Sequence, residues 1–525
     1  MSTVDEHPKA AEAAVESVYD SDGQTPRDAA TIENQGRLRK LFSFTQLLAF
    51  ALTFMSSWEV IVMNMGATFF NGGPQSLIWG QILVIIGASA QALTLAELAS
   101  ILPIAGAQYH WTDMLAPEPH RRFITWMQGW VTWFAWISTL GGSASSMGFV
   151  MQGMIASAYP DYGQEGWHLT LIMIGLLVTT GLINAYAFRI VPWMETATGV
   201  FHVILFIVFM AVFGALGQRN SAEFVFTSDS TSSGYNGFVG FNLGMLMPAW
   251  GFIGFDGVNH MSEETRKAKN AVPRAMIWTI LINGAMALAM AIMIMFYMGD
   301  PNNGVMDSSY PIIPILANIA GPTCSNALVA CLIIITYFIV VATVASVSRL
   351  TWAWARDGAL PEWFAHVDPK HRVPIRSLIL PITVVSLLSF LCVGSTTTTA
   401  FSAFTSLSSL GLYTSYIIAI VTLIYARRNG ILGEEGTNAR IKYGSWRLPK
   451  ALAFPVNMYA LIWTCYITVF LPFPTETPVD GSNMNYAFPI YVFVVFLAIA
   501  WWFAWGKKNW PGLNKSAIQY VEKES

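Results

Sequence analysis

Long apolar stretches alternate with short polar segments along the whole chain. The stretches contain about 20 residues or more, the length that a helix needs to cross the hydrocarbon core of a bilayer. The pattern therefore predicts twelve membrane spans. They lie at 44–70, 76–98, 124–154, 168–188, 193–217, 239–259, 275–298, 327–355, 376–394, 401–426, 450–472 and 486–505.

The polar segments predict how the chain is organised around these spans. Residues 1–40 are polar and have no apolar core of their own, so they are predicted to be a disordered tail. Residues 41–505 form the helical domain, and 506–525 form a second tail. No cleavable signal peptide precedes the first span, which is expected to direct insertion itself. The longest connections on the side of the tails, 356–375 and 427–449, cannot hold a soluble catalytic domain, which argues against an enzyme.

Composition and charge agree with an all-α polytopic membrane protein. Charged residues make up 11% of the chain, against about 25% in soluble domains. With twelve spans and cytoplasmic termini, 27 of the 28 basic residues fall on the cytoplasmic side, and the exception is Arg219. This separation follows the positive-inside rule and predicts that both termini are cytoplasmic.

The cysteines predict neither a disulfide framework nor a metal site. Their spacing matches no pair or metal-ligand pattern, and three of them lie within spans. We expect no metal and no cofactor. The net charge of −3 indicates no particular partner, and we expect no nucleic acid.

Two spans combine helix-weakening residues with an acid. The sixth contains "PAWGFIGFDGVNH" (248–260), and the first contains "FMSSWEVIVMNMG" (54–66). In lipid a helix is interrupted only where protein or a watery cavity covers the unpaired backbone. The two interruptions lie five spans apart, at matching places in two five-span blocks. This arrangement is typical of an inverted-repeat secondary transporter with its substrate site at the breaks.

The chemistry of such breaks favours a zwitterion or an organic cation. The half-helix that resumes offers N–H groups to a carboxylate, and the half-helix that stops offers carbonyls to an ammonium. Aromatic faces can cover an alkyl group or engage a cation. The candidates are Trp58, Trp250, Phe252 and Phe255.

Structural roles compete with these assignments. Gly251 and Gly254 fit helix packing as well as binding. Asp256 favours a functional site, because an acid within a span costs about 2.5–3.5 kcal/mol and marks pathways. Glu59 supports the same conclusion, with a hydrogen bond to unwound backbone as its alternative. His202, alone on an apolar helix, is typical of an interior histidine rather than of a proton relay.

Five motifs carry a resemblance to a known family. They are "SSWEVIVMNMGATFFNGGP" (56–74), "LAELASILPIAGAQYHW" (95–111), "PAWGFIGFDGVNHMSEETRKAKNAVPRAM" (248–276), "ARDGALP" (355–361) and "MNYAFPI" (484–490). Over about residues 40–505 the chain resembles fungal members of the amino acid–polyamine–organocation superfamily. Within it, the chain is similar to the amino acid/choline permease group, which includes choline and γ-aminobutyrate transporters.

The resemblance implies the leucine-transporter fold with alternating access. Repeat one would be 44–217, repeat two 239–426, and 450–505 would hold two further helices. It also implies that the unwound parts of the first and sixth spans bind substrate. The implied substrate-binding residues are Ser56, Ser57, Trp58, Glu59, Trp250, Gly251, Phe252, Ile253, Gly254, Phe255 and Asp256.

The first span departs from the superfamily pattern. Many amino acid permeases have a Gly-Ser-Gly type break there, whereas this chain reads Ser56-Ser57-Trp58-Glu59. An ionised Glu59 would oppose a carboxylate and favour an amine, or it would couple transport to protons. Glu59 and Asp256 are therefore the proton-coupling candidates.

The leading hypothesis is a proton-coupled permease for amino acids or amino-acid-derived amines such as choline or γ-aminobutyrate. The alternatives are a transporter-like nutrient sensor and a permease dedicated to a secondary-metabolite pathway. A passive channel is disfavoured, because bulky aromatics at the breaks suit an occluded site. The expected location is the plasma membrane, with the vacuolar membrane as an alternative. The sequence indicates no oligomeric state.

Overall fold

The computed structural model describes residues 26–229, 232–301, 303–306, 308–394, 397–481 and 483–524. It is an all-α bundle with one two-stranded parallel sheet, β1 (Leu432–Gly433) and β2 (Ile441–Lys442). The helices are α1 (Pro26–Gly36), α2 (Phe44–Met55), α3 (Ser57–Asn64), α4 (Gly66–Asn71), α5 (Gly73–Ile101), α6 (Gln108–Leu115), α7 (Arg121–Ala158), α8 (Gly166–Tyr186), α9 (Val191–Leu216), α10 (Ala222–Thr227), α11 (Gly237–Trp250), α12 (Ala268–Tyr297), α13 (Ile312–Ala320), α14 (Pro322–Arg356), α15 (Ile375–Ser389), α16 (Thr397–Arg428), α17 (Lys450–Phe470), α18 (Ala487–Trp501), α19 (Lys507–Asn509) and α20 (Lys515–Glu524).

Shorter helical segments connect several of these helices. Four of them are 3₁₀-helices, and the segment between α18 and α19 is a π-helix. They are Phe188–Ile190, Phe255–Glu264, Glu362–Ala365, Phe390–Cys392 and Trp502–Gly506.

The polytopic all-α prediction is confirmed. Within the described ranges, eleven helical segments are long and apolar enough to cross a membrane, and each coincides with a predicted span. The remaining predicted span, 124–154, corresponds to α7, a helix of 38 residues. Its middle reads "STLGGSASS" (138–146), which lowers its hydropathy, so the count of twelve stays a prediction.

The structure corrects part of the predicted disordered tail. Residues 1–25 lie outside the described residues, but 26–36 form α1. Thr31, Ile32 and Gln35 are buried. A short polar segment has no core of its own, but it can order by packing onto a folded neighbour, which its sequence does not reveal.

The first span is broken more sharply than predicted. Only Ser56 leaves the helical conformation, with φ +35°, while Ser57, Trp58 and Glu59 form the first turn of α3. The Ser56 hydroxyl donates to the Thr53 carbonyl at 2.7 Å, and the Ser56 N–H donates to the Leu52 carbonyl at 2.9 Å. These local bonds satisfy the carbonyls of Leu52 and Thr53, two of the last four in α2, and they confine the break to one residue.

The sixth span is interrupted over a longer stretch. Helix α11 ends at Trp250, and the backbone becomes helical again only at Phe255, as a 3₁₀-helix to Glu264. Gly254 lies in the left-handed region at φ +83°, a conformation that glycine adopts without a steric penalty. Residues 251–254 are therefore unwound, as the resemblance implied.

The chain ends meet on one face of the bundle, which we call the terminal face. Helix α1 contacts α20 there, and the Asn514 side chain donates to the Thr31 hydroxyl at 3.1 Å. The connection between α17 and α18 lies on the opposite face, where the Tyr235 hydroxyl donates to the Pro474 carbonyl at 3.3 Å. The positions of the breaks are described relative to these two faces.

Candidate substrate site

The two helix breaks contact each other directly. The Ser57 hydroxyl donates to the Gly251 carbonyl at 2.7 Å. Asn283 of α12 supports the first break, because its side-chain oxygen accepts from the Ser57 N–H at 3.3 Å. Its amide nitrogen donates to the Leu52 carbonyl, also at 3.3 Å. Both breaks are thus held together although 194 residues separate Ser57 from Gly251.

A small cavity, which we call the central cavity, lies beside these breaks. Five helices and the unwound segment line it, and its walls carry aromatic and aliphatic groups together with four hydroxyls. The lining residues are Phe54, Met55, Val60, Met63, Thr139, Ser143, Ser146, Trp250, Ile253, Thr336 and Ile339. Helix α2 ends at Met55 and α11 ends at Trp250, so backbone groups of both helix ends lie at this cavity.

Trp250 separates this cavity from a second, larger one. The second cavity lies toward the opposite face and is lined by Asn71 of α4, Ser402 of α16 and Tyr486, among others, together with Trp250 itself. The Trp250 indole donates to the Ser408 hydroxyl at 3.0 Å and packs edge-on against Phe401. Its ring is therefore held where a molecule entering from the opposite face would meet it.

Glu59 and Trp58 do not line the central cavity. Glu59 is fully buried and pairs with His202 of α9, with 2.5 Å between the carboxylate oxygen and Nδ1. Trp58 packs against His202, Phe206 and Phe209 of the same helix. Two and three positions after Ser56, the helix rotation directs the side chains of Trp58 and Glu59 to the interface with α9. His202 is thus the partner of a buried acid, which the sequence pattern did not indicate.

Asp256 lies on the terminal-face side of the breaks and is also fully buried. Its carboxylate accepts from the Tyr416 hydroxyl at 2.5 Å and from the Gln108 side-chain amide. The Tyr416 oxygen in turn accepts from the Gly254 N–H at 3.3 Å. Asp256 therefore links the unwound segment to α16 and to α6 through uncharged groups.

Buried ion pairs close the terminal face beneath this site. Glu264 pairs with Arg349 at 2.7 Å and Glu263 pairs with Arg356 at 3.0 Å, so the 3₁₀-helix after the break is tied to α14. We call these four residues the terminal-face ion pairs. All are at most 8% exposed, and removing one member of a buried pair typically costs about 3–5 kcal/mol.

Asp357 extends this closed layer. Its carboxylate accepts from the Tyr109 hydroxyl at 2.7 Å and lies 3.3 Å from His110 Nε2. Burial lowers the pKa of His110 to about 4, so the ring is neutral at physiological pH. The layer is therefore held by the terminal-face ion pairs and by the hydrogen bond from Tyr109 to Asp357.

Only some of the predicted site residues come together at the cavity. Trp250 and Ile253 line it, and Ser57 and Gly251 join the breaks. The other predicted residues are not among its lining residues: Ser56, Trp58, Glu59, Phe252, Gly254, Phe255 and Asp256. Sequence reasoning missed Gln108, Tyr416, Asn283 and the role of His202 as a partner of Glu59. A buried polar side chain in an apolar span is a signal for such residues, but the sequence does not reveal its partner.

Comparison with known proteins bears on the class of the chain. The family model described as amino acid permease matches residues 42–496. A choline transporter of Saccharomyces cerevisiae is 28% identical over 97% of this chain and 89% of its own length. Amino-acid permease 2 of Neurospora crassa is 26% identical over 88% and 82%, and a polyamine transporter of Saccharomyces cerevisiae is 25% identical over 94% and 80%.

These similarities extend over most of every chain compared, and the matched region contains both helix breaks and the cavity between them. The chain is a membrane transporter rather than an enzyme, and it belongs to the amino acid permease family.

Proposed function

We propose that this protein is a secondary active permease that moves a small amino acid or an amino-acid-derived amine by alternating access. The observation that carries the proposal is the cavity at the junction of two broken helices, with Trp250 between it and the opposite face. Choline and γ-aminobutyrate are the cargo candidates. Transport of choline by a relative that aligns with 97% of the chain supports this choice.

The cavity suggests how such a cargo is held. The rings of Phe54 and Trp250 can face an ammonium or methylammonium group, a contact worth about 0.5–2 kcal/mol. The carbonyls at the end of α2 can accept from an amine, as helix C-termini attract cations. The hydroxyls of Ser143 and Thr336 can bind a polar end group. Because Glu59 is paired with His202, we assign recognition of the amine to these groups and not to Glu59.

Uptake measurements test the proposal. Labelled choline, γ-aminobutyrate and basic amino acids are offered to permease-deficient yeast that expresses the chain, at acidic and neutral pH. We expect saturable uptake of at least one compound, accumulated against its gradient. No uptake of any compound by a chain that reaches the surface would overturn the proposal. Binding without accumulation would indicate a sensor, and uptake without accumulation a channel.

Trp250→Ala is expected to raise KM for the transported amine by about 2- to 30-fold, the loss of one cation–aromatic contact. Trp250→Phe keeps a ring and should have a smaller effect, although it loses the bond to Ser408. Trp193→Ala is the matched control, because Trp193 is 69% exposed on the bundle surface. If Trp250→Ala and Trp250→Phe have the same KM as the Trp193→Ala control and the wild type, the assignment of Trp250 to the site is contradicted.

We assign proton coupling to the pair formed by Glu59 and His202, with Asp256 as the second candidate. The pair joins α3, which follows the first break, to α9. Glu195 lies two turns from His202 on α9 and accepts from the Thr53 hydroxyl at 2.6 Å, on the other side of the break. Ionisable groups of one helix thus contact both halves of the broken span, so a change in protonation can favour one arrangement of the halves.

Glu59→Gln is expected to abolish the acceleration of uptake on acidification and to lower accumulation by about tenfold, equivalent to about 1.4 kcal/mol of coupling. The amide cannot bind or release a proton at this position. Initial rates and accumulation ratios at acidic and neutral pH provide the measurement. Glu165→Gln, an exposed acid near the opposite face, is the control. An unchanged pH dependence in Glu59→Gln would leave Glu59 with a structural role only.

We further propose that the chain resides in the plasma membrane with both termini in the cytoplasm. The distribution of basic residues supports this orientation, because it follows the positive-inside rule. Antibody access to an N-terminal tag in intact and permeabilised cells tests it. Staining of intact cells would show that the N-terminus is extracellular and would contradict the proposed orientation. Fluorescence of a tagged chain at the vacuole would contradict the proposed plasma-membrane location.

A further inference from the structure

Asn283 is the point at which α12 holds the first helix break. Its side chain is fully buried and uses both of its polar atoms. The oxygen accepts from the Ser57 N–H, and the nitrogen donates to the Leu52 carbonyl at 3.3 Å and to the Thr279 hydroxyl at 3.2 Å. The Thr279 hydroxyl then donates to the Ala51 carbonyl at 3.0 Å. Two polar residues one turn apart on α12, Thr279 and Asn283, thus bind backbone groups on both sides of Ser56.

We infer that Asn283 is a positioning residue for transport. By holding the N–H of Ser57, it orients the hydroxyl that binds Gly251, and so fixes the first break relative to the second. The carbonyls at the end of α2 and the unwound segment then keep one spacing across the central cavity. We call the hydrogen bonds of Asn283 to Ser57 and Leu52 the clamp. Loss of the clamp should weaken cargo binding before it affects the fold, because a single buried neutral hydrogen bond contributes little to total stability. The inference on KM rests on the proposed function.

A double-mutant cycle tests the clamp. Asn283→Ala and Ser57→Ala are each expected to raise KM by about 2- to 10-fold, with the double variant raising it no further than the larger single effect. Asn318→Ala on α13 is the control, because its amide contacts only the carbonyl of Asn303 among the described residues. Effects on KM that multiply independently, or a KM that does not change, would overturn the inference.

Hydrogen exchange supplies a readout that needs no cargo. In the purified full chain, Asn283→Ala should exchange the Ser57 amide about 2- to 10-fold faster, because its acceptor is gone. Unchanged exchange would refute the clamp whether or not transport is observed. If the wild-type chain transports no compound but the Ser57 amide still exchanges faster in Asn283→Ala, the proposed function is refuted and the role of Asn283 at the break is retained.

A second inference comes from the chain ends on the terminal face. Helices α1 and α20 bury Ile32, Ala517 and Val521 between themselves and the bundle. They are joined by the hydrogen bond from Asn514 to Thr31. Trp510, which is 1% exposed, precedes α20 and packs against Trp126 and Trp354. Two segments from opposite ends of the sequence therefore form one ordered layer.

The terminal-face ion pairs join the 3₁₀-helix Phe255–Glu264 to α14, and we call the boundary between these two elements the seam. The layer of terminal segments contacts both sides of the seam. The Gln35 amide of α1 donates to Glu263 at 3.2 Å, on the 3₁₀-helix that follows the second break. The Asn514 N–H donates to the Asp357 carboxylate at 2.9 Å, directly after the end of α14. The Trp510 indole donates to the Asp357 carbonyl, also at 2.9 Å. Thr31 and Asn514 connect the two sides.

We propose that the two terminal segments form a latch that holds the terminal face closed. Opening that face requires the 3₁₀-helix Phe255–Glu264 to separate from α14. The latch opposes this separation, because its contacts hold Glu263 on one side and Asp357 on the other. Releasing the latch should therefore raise the fraction of molecules that are open on the terminal face. A partner or modification that removes α1 would activate opening without touching the cavity, since α1 contributes no residue to it.

Thiol accessibility tests the latch without any cargo. Ser346 is fully buried in the seam, where its hydroxyl donates to the Gly257 carbonyl at 3.2 Å, so Ser346→Cys reports opening. In permeabilised cells we expect an impermeant maleimide to label residue 346 about 2- to 10-fold faster when Gln35→Ala or Thr31→Val is added. Thr31→Val keeps the volume of the side chain. Glu33→Gln, an exposed position of α1, is the control.

Equal labelling rates in the latch variants and the control would overturn the proposal. Faster labelling in both latch variants, with labelling in Glu33→Gln unchanged, would support it. Both results are read at residue 346 by mass spectrometry of the full chain, so they do not depend on whether a cargo is transported.

Discussion

Gly254→Ala is expected to remove about nine-tenths of uptake while the chain still reaches the membrane. Gly254 has φ +83°, where a residue with a Cβ pays about 1–2 kcal/mol. An added Cβ would also stand 2.9 Å from a ring carbon of Phe54, which lines the central cavity. The unwound segment must therefore shift, and with it the carbonyls and the Trp250 ring at the site. Initial uptake rates normalised to surface protein provide the measurement.

The control for this substitution is Gly175→Ala. Gly175 is exposed on α8, and no heavy atom lies within 4 Å of a Cβ built there. It tests the cost of alanine in a span without a change of conformation, so uptake should remain normal. Full uptake by Gly254→Ala would mean that the left-handed turn is not needed, and it would remove the main argument for the second break as part of the site.

Asp256→Asn is expected to lower the rate of uptake by about tenfold or more. The carboxylate accepts from both Tyr416 and Gln108, and both atoms of an amide cannot do so. One buried donor would lose its acceptor, at a cost of about 1–3 kcal/mol, which converts to about 5- to 150-fold in an equilibrium. The loss falls on the contact that links the unwound segment to α16 and α6.

Uptake at acidic and neutral pH distinguishes the two roles open to Asp256. A lower rate with the wild-type pH dependence indicates that Asp256 positions the unwound segment, whereas a lost pH dependence indicates a proton-coupling site. Asp161→Asn, at an exposed position on the opposite face, should behave as wild type. Wild-type rate and pH dependence in Asp256→Asn would contradict both roles.

The spans and both interruptions could be predicted because their causes are local. A run of apolar residues is sufficient to place a helix in the bilayer. Gly251 and Gly254 weaken a helix wherever they occur, and Ser56 with Ser57 marks a place where a hydroxyl competes for the backbone. Each predicted span therefore coincides with helical structure, and eleven of these helical segments are long and apolar enough to cross a membrane. The span at 124–154 is the instructive exception, since packing against other helices permits more polar residues than lipid does.

Glu59 shows where sequence reasoning stopped. Glu59 follows the break at Ser56 by three residues, but the sequence did not indicate which neighbouring helix its side chain would meet, because successive helix positions differ in direction by about 100°. The paired His202 lies 143 positions away on α9, and nothing in either segment indicates the other. The same holds for Gln108 and Tyr416, which lie 148 and 160 positions from Asp256.

The sequence by itself therefore determined the membrane class, the spans and the two places where helices open, since hydropathy and backbone preference act over a few residues. Only the tertiary structure decided which buried polar groups meet. It paired Glu59 with His202, placed Asn283 at the first break and ordered α1 against α20. These outcomes depend on helix rotation and on contacts between distant segments. In a low-dielectric interior each buried polar group must find a partner, and the fold selects which one.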